Sequence, residues 1–129
     1  MKREQFFAIS GVIGALFGLG FLLLPDLSLR NYGVPTDPFN LMQARYFGSA
    51  LLAVGLITFL ARETQDAVAV RALLLGNLVG DAAGGIVTLM ALGMMNAMAW
   101  SSVVIYALFA GASAYYLFAT KPQAQAASA

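Results

Sequence analysis

Residues 72–92, ALLLGNLVGDAAGGIVTLMAL, constrain this chain more than any other stretch. Roughly 20 apolar residues at about 1.5 Å each cover a bilayer core of about 30 Å, so the segment is long enough to cross a membrane as one helix. It nevertheless holds Asn77, Asp81 and Thr88. At about 100° per residue these three fall with Gly80 and Gly84 inside one arc of roughly 100°, and the other side is Leu, Val, Ala, Ile and Met. Lipid offers a carboxyl group no partner, and an acid at the bilayer centre costs about 2.5–3.5 kcal/mol on insertion scales. The polar face therefore has to look into protein, where something must offset the burial of Asp81.

The remainder of the chain has the same character. Of its 129 residues 60% are hydrophobic and 10% charged, against about 25% charged in a soluble domain. This is the composition of an integral membrane protein, and the expected fold is all-α, a four-helix up-down-up-down bundle in one domain over residues 1–120. Cysteine is absent, which closes off disulfides, thiolate catalysis and iron–sulfur ligation by this chain. Histidine is absent too, and with it the commonest metal ligand and the usual general base near neutral pH. No catalytic residue, cofactor site or metal site is expected. A net charge of +1, with no basic run among aromatics, gives nucleic acid no purchase.

Helices are expected at about 6–24, 39–60, 72–92 and 99–119. The first apolar run is longer than the 7–15 residues of a signal peptide and is read as a retained transmembrane helix. Gly11, Gly14, Ala15 and Gly18 share a face there, and the Gly14/Gly18 step suits close packing, within the chain or against a second copy. Residues 25–40 read as the one substantial loop, with Tyr32 at the membrane interface. Thr36 or Asp37 suits the N-cap of the second helix, with Pro38 at its first position. Gly76, Gly80 and Gly84 make two consecutive GxxxG steps, a stronger packing signal than the first helix carries. The fourth helix sets Ala99, Ser102, Tyr106, Ala110 and Ser113 on one side. Residues 121–129 lack packing potential and read as a disordered tail.

Lys2, Arg3, Arg62, Arg71 and Lys121 fall on one side of this arrangement, and Arg30 with Arg45 on the other. The positive-inside rule then puts both termini and the middle turn in the cytoplasm of a bacterial inner membrane. Phe6, Phe7, Tyr115, Tyr116 and Phe118 are expected as an inner aromatic belt, and Tyr32, Phe39, Tyr46 and Trp100 as the outer one.

The pattern LPDLSLRNYGVP, then QARYFGSALLAVGL, then GDAAGGIVTLMALGMMNAMAW, resembles the small four-helix bacterial membrane proteins grouped as DoxX-like. Pro25, Gly33-Val34-Pro35 and Arg45-Tyr46-Phe47-Gly48 carry the resemblance. It implies an architecture and an accessory role beside larger membrane complexes, and no catalytic residue. Small multidrug exporters place an acid in their first helix, and this first helix has none.

Two functions can be read from these residues, the first being the expected one and the second the alternative. One is a non-enzymatic scaffold, assembly or accessory subunit, with lipid, a larger membrane complex or a second copy of the chain as partner. The other is a small carrier or binder of a lipophilic or protonated ligand, using an interior polar site made of Arg45, Asn77, Asp81, Thr88 and Tyr106. Asp81 is on this reading a proton-coupling group, and on the first a structural clasp hydrogen-bonded to Tyr106. Arg45 has two roles available, snorkelling to the headgroups or joining the interior. A scaffold packs the glycine face shut; a binder leaves a cavity beside Asp81.

Overall fold

The computed structural model describes residues 1–119, so the tail at 121–129, Lys121 included, lies outside the described residues. The described chain is all-α: α1 (Arg3–Leu23), α2 (Pro25–Asn31), α3 (Pro38–Leu60), α4 (Ala67–Ala91) and α5 (Ala99–Phe118), with a 3-10 turn at Leu92–Met94. By length and composition α1, α3, α4 with its 3-10 extension, and α5 are long and apolar enough to cross a membrane, which makes this a multi-pass membrane protein. They run up-down-up-down. The start of the described chain and the last turn of α5 lie at one end, where the Tyr116 hydroxyl donates to the Met1 carbonyl at 2.6 Å.

Local chemistry sets the helix starts. Asp37 caps α3 by accepting from the amides of Phe39 and Asn40, and Pro38 follows it at the position where a missing N–H costs nothing. Asp66 caps α4 through the Ala69 amide at 2.7 Å, so that helix begins at Ala67 and not near residue 72. Arg71 therefore lies inside the helix, just past its first turn, and not in the connection before it. The loop expected at residues 25–40 also holds a helix. Pro25 does not break the chain there but opens α2 at its first position. Gly33 ends it at φ +72°, a conformation that disfavours a side chain, and the Asn96 side chain donates to the Asn31 carbonyl at 2.9 Å.

The bundle is built as two tight pairs. In the first, α1 and α3 cross through glycines on both sides. A Cβ built on Gly11 would stand 2.8 Å from the Gly55 carbonyl oxygen, and one on Gly18 would stand 2.7 Å from the Leu52 Cα. Gly48 and Gly55 are equally closed from the α3 side, with the Gly18 and Gly11 carbonyl oxygens at 2.7 and 2.8 Å. Without a hydrophobic drive between helices in lipid, such backbone contact supplies the attraction. In the second pair α4 packs on α5. The pairs meet at the terminal end through Phe6, Phe7, Leu74 and Tyr116, where Phe6 stacks on Tyr116 at 5.5 Å between ring centres.

That cluster corrects the aromatic belt expected from the sequence. Phe6, Phe7 and Tyr116 are buried and form core, while Tyr115 and Phe118 stay exposed. At the opposite end Tyr32 is buried as well, with its hydroxyl 2.8 Å from Ser102 Oγ, and Phe39, Tyr46 and Trp100 are exposed. Four rings that read as interfacial by position instead lie buried where one helix pair meets the other.

Candidate functional site

Between the two pairs lies a cavity of about 200 Å³, with walls from α1, α2, α3, α4 and α5. Four of the five residues expected to form an interior polar site are in its wall: Asn77, Asp81, Thr88 and Tyr106. They arrive there by helical spacing. At about 100° per residue Leu74, Asn77, Asp81, Gly84 and Thr88 fall within roughly 80° of arc, and Leu74, at one edge of it, is buried in the cluster where the pairs meet.

Arg45 does not join them. The buried line of α3 runs through Ala44, Gly48, Gly55 and Thr58, and Arg45 sits one residue, about 100°, off that line. Its side chain is exposed and takes no part in the cavity wall. Gly76 and Gly80 also leave the packing residues named from the sequence, since a Cβ on either would meet nothing within 4 Å. Gly84 does pack, with the Tyr106 ring at 2.8 Å from its built Cβ. Gly14 is in ordinary contact with Gly55 at 3.4 Å, and Gly18 is among the tightest positions of the chain.

Few polar atoms in the cavity wall are satisfied by one another. Thr58, on α3, points its hydroxyl at Asn77 Oδ1 across the gap between the pairs, at a long 3.5 Å. Asn77 Nδ2 is buried with no partner. Turning the amide over would only exchange which of its ends Thr58 can serve. Thr88 bonds back to the Gly84 carbonyl at 2.8 Å within its own helix. Ser10 does likewise to Phe6 at 2.9 Å. No hydrogen bond joins Asp81 to Tyr106, and the two ion pairs of the described residues, Arg30–Asp26 and Arg62–Glu63, lie elsewhere. The clasp expected between Asp81 and Tyr106 is not made.

The rest of the wall is apolar and aromatic, including Phe17, Phe21, Phe47 and Phe109. Asp81 is the sole ionisable carboxylate on it, and no Lys or Arg lines it. Among the described residues no three acidic, histidine or cysteine side chains gather into a metal-holding group. Thr58 escaped the sequence reading because a lone hydroxyl near the end of an apolar helix carries no periodic signal. Tyr32 escaped it because an aromatic in a loop reads as an interface anchor.

Compared with protein-family models, curated proteins and solved structures, the chain matches none of them.

Proposed function

We propose that this protein binds a small lipophilic ligand inside the membrane, in the cavity beside Asp81. The cavity itself carries the reading. A bundle serving only as a scaffold gains by closing its interior, because each void forfeits packing contacts. Here a space of about 200 Å³ persists between the two pairs, with the unpartnered Asn77 Nδ2 and the Asp81 carboxyl, which makes no ion pair among the described residues, in its wall. An engineered apolar cavity of about 150 Å³ is enough to take up benzene. Unpaired polar groups in a mainly aromatic wall are the pattern of a ligand site, where a few polar atoms orient an apolar body.

The test is a melting series in detergent with propylbenzene. Binding to the folded state alone raises the melting temperature in a saturable way. Ile105→Trp, which fills the cavity from α5, should abolish that rise. An identical rise in the filled variant would place binding elsewhere.

A second reading stays with the outer face of α4, where Gly76 and Gly80 are open. A scaffold or accessory subunit would offer that strip to another membrane protein, in line with the DoxX-like resemblance. The placement we propose is a bacterial inner membrane with both termini cytoplasmic. It rests on Lys2, Arg3, Arg62 and Arg71 lying at the terminal end of the bundle, against Arg30 and Arg45 at the other.

A further inference from the structure

We infer that the ligand of this cavity is a single-ring lipophilic amine, held by an ion pair to Asp81. The inference rests on the binding reading above and adds the chemistry of what is bound.

Size comes first. The cavity is about a third larger than one that accepts benzene, so it suits one ring with a short arm, about ten non-hydrogen atoms in all. It is too small for the drug-sized molecules that occupy pockets of about 300–1,000 Å³.

Charge decides the class. Asp81 lines the cavity with no cation among the described residues to answer it: Arg45 is exposed on the outer face of α3, and no other Lys or Arg is in the cavity wall. An anionic ligand would find no counter-ion in the wall, only a carboxyl group that can itself turn anionic, which disfavours carboxylates and phosphates as a class. A neutral hydrocarbon would fill the space but leave the acid unpaired. An amine answers it. Whether a neutral amine takes the proton from the carboxylic acid or an ammonium meets the carboxylate, the product is the same ammonium–carboxylate pair, with one proton moved at most and none lost.

The walls agree with that choice. Tyr106 lies next to Asp81 on the facing helix, with its ring seated on Gly84. Phenylalanine and tyrosine faces attract a cation as well as an apolar ring, an attraction that strengthens when water is excluded. Asn77, one turn before Asp81 on the same face, holds an amide that Thr58 can satisfy at only one end. The polar end of the cavity is therefore concentrated on α4. Across from it, Phe17, Phe21 and Phe47 on the other pair supply aromatic wall.

Three probes of similar shape separate the outcomes: 2-phenylethylamine, propylbenzene and phenylacetate, each titrated into the purified full chain in detergent. The expected order is 2-phenylethylamine about tenfold or more tighter than propylbenzene, since a charged hydrogen bond replaces a methyl contact, with phenylacetate weakest. Asp81→Asn should bring the amine level with propylbenzene. If propylbenzene binds saturably and the amine binds no better, the amine inference is overturned and the cavity reading stands. If phenylacetate equals the amine, the inference is overturned as well. Should none of the three bind saturably, the binding reading itself fails and the amine with it.

Discussion

A Cβ built on Gly84 would stand 2.8 Å from both the Cε1 and the Cζ of Tyr106, so the hydroxyl-bearing end of that ring rests directly on the α4 backbone. Contact of this kind holds α5 against α4 and at the same time fixes where the Tyr106 side chain borders the cavity. Gly84→Ala should therefore destabilise the bundle by about 1–3 kcal/mol through overpacking. Tyr106→Leu, which removes the obstructing ring, should recover much of that loss when combined with it. Detergent melting of the two single variants and the double gives the coupling directly, and strict additivity would show that the ring and the glycine are independent.

Glycines on the first helix pair should be still less replaceable. Leucine at Gly18 or Gly55 has to displace backbone, not a side chain, and should cost several kcal/mol or prevent assembly, beyond the about 1–3 kcal/mol of ordinary overpacking. Leucine at Gly76 or Gly80 has open space around it and should leave the melting temperature nearly unchanged. A melting series ranks the four.

Asp81 is predicted to be a residue kept at some cost to stability. It makes no hydrogen bond or ion pair among the described residues, so Asp81→Leu should keep the fold and raise the melting temperature, while abolishing amine binding. A fall in melting temperature would instead mark the acid as a structural clasp.

Membrane topology follows from the charges and can be read by labelling, because the chain has no cysteine of its own. A cysteine placed at Thr64, beside the Arg3 guanidinium that donates to its carbonyl at 2.8 Å, should be protected from an impermeant reagent in intact spheroplasts. One placed at Asp37 should label. The reverse pattern would invert the orientation.

Much of this architecture was legible in the residues, and the parts that were not share a cause. The membrane-spanning runs, the Asp37–Pro38 start and the gathering of Asn77, Asp81, Thr88 and Tyr106 all follow from length, capping chemistry and 100° spacing. GxxxG steps did not reveal their partners. Gly76 and Gly80 form as regular a pair as Gly14 and Gly18, yet α4 packs through Leu74 and Gly84 and leaves both open, through packing that only the assembled bundle defines. Arg45 was ambiguous for the same reason, since one residue of rotation separates an interior arginine from an exposed one. Pro25 misled because a proline after an apolar run ends one helix and can equally begin the next. The cavity was legible only as an alternative, because sequence reports which side chains share a face and says nothing of whether facing pairs close.

A ligand site between the two helix pairs is tested most directly by methyl NMR. With methionine methyls labelled, Met95 lies in the cavity wall, while Met90 and Met94 are about four-fifths exposed on the outside. Titration with propylbenzene should shift the Met95 methyl in a saturable way through the ring current of the bound molecule, and Ile105→Trp should remove the shift. Met90 and Met94 should respond only in proportion to probe dissolved in the detergent. A Met95 methyl that follows that same unsaturable line, in the native chain and in the filled variant alike, would contradict the account.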